Sequence, residues 1–381
     1  MTLTSPGPTL GVVGGGQLGR MLGEAAAPLG VEVVVSDPTP DAPAAPVVRD
    51  QLVGDFDDRE TLRALAERSD YLTFEIELAD PDMLEAVSEE TGVPVHPEPA
   101  TLRTIQDKLV QKERLQDAGI PVPEFRQVDS TEDLHAALDD LGTPAMLKAR
   151  EGGYDGRGNV LVESREDAES AMDEIAGPAM VEAFVPFERE LAVMGCKTEG
   201  ETDTFPVTET IHEEEILRES VSPPRATDER IEAARDVAED VLAEMEGRGV
   251  YGIELFDTGE AILLNEIAPR PHNSGHWTIE GCHTSQFEQH VRAVTGRPLG
   301  STERRDPTVS VNILGDGEER REARLTGEEA VFERDRAHLH WYGKREVYPL
   351  RKTGHVTLTG DDGTDDLLAS ARNLRDGLTF K

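Results

Sequence analysis

Lys148-Ala149-Arg150-Glu151-Gly152-Gly153-Tyr154-Asp155-Gly156-Arg157-Gly158 follows a short apolar strand predicted over Ala145 to Ala149, so this glycine-rich loop leaves a fixed sheet edge. Its four glycines let backbone amides approach a polyphosphate closely, and Lys148 adds a compact positive charge. No Gly-Lys-Ser/Thr follows, so the loop is not a Walker A element. A solvated surface hairpin would have no use for Lys148 and Arg157 at these places.

Toward the C-terminus, a helix is predicted from Asp228 to Glu246, followed by a hairpin of Val250 to Phe256 and Ala261 to Ile267 turning at Asp257-Thr258-Gly259-Glu260. Glu254 lies near the start of one strand and Glu266 at the end of the next, which antiparallel pairing brings side by side. Asn265 adds an amide oxygen. Two carboxylates and an amide beside a phosphate loop suit magnesium, a hard cation that takes oxygen ligands and keeps room for waters and substrate phosphates. The apolar flanks Ile253, Leu255, Leu263, Leu264 and Ile267 place the hairpin in the core rather than in solvent. Ala268-Pro269-Arg270-Pro271-His272-Asn273-Ser274-Gly275-His276-Trp277 comes next, with Arg270 placed to hold an anion just beyond the carboxylates. His272 and His276 lack a partner at zinc spacing.

Toward the N-terminus, the pattern is strand (Thr9 to Val13), turn (Gly14-Gly15-Gly16-Gln17-Leu18-Gly19), helix (Arg20 to Leu29) and strand (Val31 to Val35), with Asp37 after it. Gly14-x-Gly16-x-x-Gly19 fits a dinucleotide fingerprint locally, but any tight strand-to-helix turn wants glycine, and the motif stands alone. A further strand, Tyr71 to Ile76, carries Glu75 and leads to Glu77, and Pro94, Pro97 and Pro99 mark a boundary. These elements make an open α/β layer with ligand-binding loops at its strand ends. Beyond the boundary a helix is predicted over Leu102 to Ala118, a strand over Ala179 to Glu182 and another near Val309 to Leu314. The segment His338 to His355 is aromatic and basic, and an acidic helix ends the chain.

The charge balance is extreme: 77 Asp plus Glu against 38 Lys plus Arg, a net charge of -39 over 381 residues. Distributed self-repulsion of this size needs screening by salt and matches a halophilic protein. It disfavours nucleic acid as a partner, because a phosphate backbone needs a basic face. Lysine survives only at Lys108, Lys112, Lys148, Lys197, Lys344, Lys352 and Lys381, so it should mark places where an ammonium does what arginine cannot. The apolar runs are too short to cross a bilayer, and two cysteines, Cys196 and Cys282, make no disulfide framework. The expected setting is the cytoplasm.

Taken in order, Lys148, the Gly152 to Gly158 loop, Glu182-Ala183-Phe184-Val185, Glu190, Glu254 and Asn265-Glu266 resemble the ATP-grasp superfamily. Within it the chain resembles the N5-carboxyaminoimidazole ribonucleotide synthase family along nearly its whole length. Gly14 to Arg20 (GGGQLGR), Gly152 to Gly158 (GGYDGRG), Pro269 to Trp277 (PRPHNSGHW) and His338 to His355 carry that likeness. The resemblance implies an α/β fold in four parts: a doubly wound, Rossmann-like domain (1–100), a small lid domain (101–185), a larger antiparallel domain (186–300) and a C-terminal extension completing the substrate site (301–381). It implies ATP and Mg2+ as cofactors, with Lys108 and Lys148 on the phosphates under a closing loop of Gly153, Tyr154, Asp155, Gly156, Arg157, Gly158 and Asn159. Glu182 to Val185 would read adenine, Glu190 the ribose and His212 a further part of the nucleotide, while Asn265 lines the same site and Glu254 and Glu266 bind the metal. Gln17, Leu18, Glu75, Asn273, Lys344, Arg351 and Lys352 would hold a phosphoribosyl acceptor, and Tyr154, Asp155, Arg270, His272 and Asn273 would serve the chemistry. The implied reaction joins bicarbonate to 5-aminoimidazole ribonucleotide through carboxyphosphate, in a homodimer. The related formate-dependent glycinamide ribonucleotide formyltransferase is disfavoured by Asn273, where that relative is acidic.

Overall fold

The structure is a computed structural model that describes residues 4–152, 158–175 and 177–381. Its first layer is a parallel four-stranded sheet in the order Asp50–Val53, Glu32–Asp37, Thr9–Val13, Tyr71–Phe74. The alternation along Thr9–Val13 explains why both faces are covered. Leu10 and Val12 pack with Leu18, Met21 and Leu22 of the first helix on one face, while Val13 packs with Leu62, Leu65 and Phe74 on the other.

That first helix spans Gln17–Ala26, with a separate single turn at Ala27–Leu29, rather than Arg20 to Leu29 as expected. It can start early because a carboxylate waits at its N-terminus. Glu75 accepts from the Gly16 and Gly19 amides, satisfying donors that a helix start otherwise leaves unpaired.

The helix expected over Leu102 to Ala118 is two helices, Pro99–Gln106 and Lys108–Asp117. Asp107 adopts an extended backbone between them and caps the second through the Leu109 and Val110 amides. Arg150 pairs with the same carboxylate, and the Arg150 carbonyl accepts from the Lys108 amide at 2.9 Å. The restart therefore ties Lys108, at the new N-terminus, to the end of the strand that carries Lys148.

A small antiparallel sheet follows, ordered Phe125–Val128, Ala179–Ala183, Ala145–Ala149, Asn159–Val162, with the helices Thr131–Leu141 and Ala168–Ile175 packed in its core. The largest sheet is antiparallel, and its path runs Ile262–Ala268, Gly249–Asp257, Arg189–Lys197, Thr208–Glu213, Ile216–Ser222, Thr308–Leu314, Lys352–Thr359, Ala337–Trp341. Its last three strands come from the final third of the chain, so that segment continues the same sheet. The helix Asp228–Glu244 seals one part of it through Ala234, Val237, Ala238 and Val241, and Thr364–Asp376 another through Leu367, Leu368 and Ala371. Among the described residues no helix is long and apolar enough to cross a membrane.

Candidate active site

Glu182 is the electrostatic centre of the cleft wall. It sits on the second strand of the small sheet, opposite Met146, which puts Lys148 on the same face one diagonal step away. The carboxylate is buried, with Lys148 Nζ 2.6 Å from one oxygen and Lys112 Nζ 3.1 Å from the other. Burial alone would raise its pKa, but Lys112 and Lys148 overcome that and hold it at about 2. Lys108 reaches across to Glu266 at 3.4 Å, and that carboxylate keeps the Lys108 ammonium charged against burial. In return Lys108 holds Glu266 below the usual carboxylate range, with Lys148 and Arg270 adding to the effect.

Glu254 and Glu266 are direct partners across the hairpin, as the spacing predicted. A bulge follows immediately, Leu255 pairing with Leu264, so Asn265 is the extra residue. Glu254 is the more enclosed of the pair. Burial pushes its carboxyl up to about 7, helped by the negative Glu266 and Glu190 and opposed by His212 and Lys352. Its Oε1 is buried and accepts no hydrogen bond; His272 Nδ1 is 3.4 Å away and engaged with the Ser274 hydroxyl at 2.8 Å. An all-oxygen set with an unsatisfied buried carboxylate oxygen fits a magnesium ion. Among the described residues no cluster of three or more His, Cys, Asp or Glu could enclose a metal, so an ion held here would draw its remaining ligands from phosphates and water.

Further along the wall, Glu190 accepts from or pairs with His212 Nδ1 at 2.8 Å. Burial opposes a charge on that imidazole, but Glu190 and Glu254 raise its pKa. Ala183 and Val185 are half-buried and Phe184 is exposed where the small-sheet strand runs out. Asn159 pairs with Lys148 across the small sheet, and Gly158 closes the loop with a carbonyl that accepts from Ala149 at 2.7 Å. Gly153, Tyr154, Asp155, Gly156 and Arg157 lie outside the described residues.

The glycine turn of the first sheet does not offer its amides to a dinucleotide. Glu75 fills it, and a Cβ at Gly14, which has φ +105°, would lie 2.4 Å from the Glu75 side chain. Asp37 is equally committed, accepting from Gly15 at 2.9 Å and Thr39 at 2.8 Å. The local fingerprint is thus built around two internal acids. Burial raises the pKa of Glu75, while the Gly19 and Gly16 amides, Lys344 and Arg270 pull it down.

The field of Lys344 at Glu75 brings the C-terminal basic segment to this turn. Lys352 acts on His212, Glu254, His272 and His276, so it lies on the Glu254 side of the hairpin. Arg270 pairs with Glu77 at 2.7 Å, and its Nε is buried without a partner. His272 is kept neutral, first by burial and then by Arg270 and Lys352. Both amide atoms of buried Asn273 lack partners. Gln17 opens the first helix, while the Leu18 side chain is in the core, so only its backbone can serve the cleft. Arg351 is engaged within its own loop, donating to the Glu346 carbonyl at 2.7 Å and lying 4.9 Å over the Tyr348 ring.

Three contributors were not singled out from sequence as site residues. Lys112 shares Glu182, Glu77 holds Arg270, and buried Gln286 clamps the His272 backbone through both amide atoms while donating to His276 Nδ1. For Lys112 a signal existed in the scarcity of lysine; Gln286 sits in an ordinary amphipathic helix and carried none.

Residues 8–106 match the ribonucleotide synthetase preATP-grasp domain, 113–287 the ATP-grasp domain, and 308–369 the phosphoribosylaminoimidazole carboxylase C-terminal domain. The chain is similar to N5-carboxyaminoimidazole ribonucleotide synthase of Brucella melitensis, at 42% identity over 361 residues, covering 93% of this chain and 97% of the relative. Among solved structures it is similar to the synthetase of Thermotoga maritima, at 41% identity and a TM-score of 0.89, over 98% of this chain and 99% of that one. It is also similar to the synthase of Aspergillus clavatus in complex with ADP and 5-aminoimidazole ribonucleotide, at 35% identity and a TM-score of 0.89, over 97% and 98% of the two chains.

Proposed function

Because this chain belongs to the N5-carboxyaminoimidazole ribonucleotide synthase family of ATP-grasp enzymes, we propose that it joins bicarbonate to the amine of 5-aminoimidazole ribonucleotide by way of carboxyphosphate. It is an ATP-dependent ligase that carboxylates aminoimidazole ribonucleotide in purine biosynthesis. The observation that carries the reading is the pairing of Glu254 with Glu266 in one cleft with Lys108, Lys148 and Arg270.

A bicarbonate oxygen attacks the γ-phosphorus of ATP, the bond to the β-phosphate oxygen breaks, and ADP leaves carboxyphosphate behind. Lys108, at a helix N-terminus, and Lys148 counter the charge on the phosphates, and Arg270 counters the charge that spreads over the transferred group. Glu254, Glu266 and Asn265 would hold magnesium, which supplies positive charge to the same phosphates. The amine nitrogen of the acceptor then takes the carboxyl carbon, directly or after release of CO₂, with loss of phosphate and one proton. Glu182 to Val185 line the adenine, Glu190 the ribose, and His212, paired with Glu190, a further part of the nucleotide. Gln17, the Leu18 backbone, Glu75, Asn273, Lys344, Arg351 and Lys352 would hold the acceptor, and neutral His272, beside Glu254, would serve the chemistry.

The reading extends to a cytoplasmic homodimer, as the family likeness implies, that works in concentrated salt, as the net charge of -39 requires. ADP release should need magnesium, bicarbonate and aminoimidazole ribonucleotide together. Robust turnover with formate and glycinamide ribonucleotide, and none with the proposed pair, would reassign the substrates within the superfamily.

A further inference from the structure

The mechanism above uses Lys108 and Lys148 and leaves a third lysine beside them unexplained. Lys112 is 2% exposed and lies one helical turn after Lys108 on the same helix face. Its ammonium donates to the Leu264 and Asn265 carbonyls, each at 2.9 Å, and pairs with Glu182 Oε1 at 3.1 Å. Two carbonyls and one carboxylate thus surround the ammonium, the carbonyls by hydrogen bonds and Glu182 by an ion pair.

The acceptors are not incidental. Leu264 and Asn265 are the residues of the hairpin bulge immediately before Glu266, so Lys112 anchors the backbone that aims that carboxylate. Glu182 is 3% exposed, and its other oxygen holds Lys148 at 2.6 Å. A carboxylate buried that deeply cannot stay ionised alone. If Lys148 were its only counterion, turning Lys148 to a phosphate would strand the charge. With Lys112 permanently in place, one lysine can leave and the pair survives.

We propose that Lys112 is a positioning residue for the nucleotide, the fixed counterion of Glu182 that releases Lys148 to the phosphates while it pins the bulge that aims Glu266. This rests on the nucleotide-binding reading of the cleft, which fails by itself if the wild-type protein binds no ADP in the presence of magnesium.

The test measures ADP affinity by titration calorimetry in the wild type, Lys112→Met, Glu182→Gln and the double variant. Methionine keeps the unbranched apolar stem and removes the ammonium, and it leaves Glu182 to hold Lys148. Lys112→Met should weaken ADP by roughly tenfold or more, the scale of one charge-assisted contact. Adding Glu182→Gln removes the carboxylate that traps Lys148, so the double variant should bind better than the sum of the two losses allows. Losses that simply add, as a packing role predicts, overturn the proposal.

A second measurement compares ADP with adenosine, which has no phosphate for Lys148 to reach, and sets Lys112→Arg beside Lys112→Met because arginine keeps a cation against Glu182. Lys112→Met should weaken ADP and leave adenosine nearly unchanged, and Lys112→Arg should recover part of the ADP affinity. Equal losses for the two ligands, or an arginine variant as weak as the methionine one, overturns it.

Discussion

Glu254 and Glu266 face each other as a direct cross-strand pair, one with its carboxyl pushed up to about 7 and the other held below the usual carboxylate range. Like charges this close favour a shared cation. Replacing either by Gln keeps the shape and removes one charge, so turnover should fall by roughly a hundredfold or more. Stability should not follow. Burial already makes the ionised Glu254 costly, so Glu254→Gln should leave the thermal midpoint unchanged or higher. Near wild-type turnover in both variants would remove these two residues from the metal site.

Gly252 lies two residues before Glu254, and a Cβ there would sit 2.4 Å from His272 Cβ. Neither atom can swing away, since each is fixed to its backbone. Gly252→Ala should therefore displace His272 from Glu254, cost about 1–3 kcal/mol of stability by overpacking, and lower turnover more than ATP affinity. A variant with wild-type kinetics and midpoint would mean that the His272 segment yields without consequence.

The hairpin was legible because apolar flanks and a polar turn fix its register, and the register alone brings Glu254 to Glu266. The sequence pattern hides the break inside Leu102 to Ala118 because Leu102, Ile105, Leu109 and Leu115 keep a helical spacing across it. What interrupts it is Asp107, whose capping role is reinforced by Arg150, 43 residues away. The glycine fingerprint was half legible: its spacing predicted a tight turn correctly, but Glu75, brought in by another strand, decides that no dinucleotide phosphate sits there. The scarcity of lysine carries information beyond Lys108, Lys148, Lys344 and Lys352. Lys112 and Lys197 both spend their ammonium groups on backbone carbonyls, Lys197 on those of Leu242 and Met245.

A net charge of -39 should make the fold dependent on salt. At molar ionic strength the Debye length falls to about 3 Å, enough to screen neighbouring surface acids that dilute buffer leaves in mutual repulsion. The thermal midpoint should rise steadily from dilute buffer to molar KCl. A midpoint that does not move would remove the halophilic reading and leave the enzyme assignment intact.

His290 predicts an acid limb in stability. Its Nδ1 accepts from the Val250 amide at 3.0 Å, so Nε2 carries the proton and donates to the Thr73 hydroxyl at 2.8 Å. Burial, with some repulsion from His96, lowers its pKa to about 3. The unfolded chain takes up a proton near pH 6.5 that the folded chain refuses, so stability is full above 6.5 and is lost as pH falls toward 3. This one group should contribute a slope of about 1.4 kcal/mol per pH unit. Comparing wild type with His290→Phe between pH 6.5 and 4.5, at fixed salt, isolates it. The variant is less stable throughout, but its slope should be smaller by one proton; equal slopes would show that His290 is protonated in the folded state.

Lys344 gives the sharpest prediction for the acceptor. A nucleotide monophosphate carries close to two negative charges, and the overall field of this protein repels it, so its site must be a local positive exception. Lys344 lies on the loop joining Ala337–Trp341 to Lys352–Thr359, and the loop is anchored by Tyr342, buried in the core beside Leu18 and Phe287. Its charge reaches Glu75 at the start of the first helix, so the ammonium brings positive charge from the basic segment to the glycine turn. Arg351, the other cation expected there, already has the Glu346 carbonyl and the Tyr348 ring as partners, and turning it to a phosphate would cost those contacts. Lys344→Ala should therefore raise the Michaelis constant for aminoimidazole ribonucleotide by roughly tenfold to a hundredfold, the equivalent of one charge-assisted contact, and leave that for ATP nearly unchanged. Arg351→Ala should raise the same constant as well. If Lys344→Ala instead weakens ATP and spares the ribonucleotide, the acceptor phosphate lies elsewhere and the basic segment serves the nucleotide.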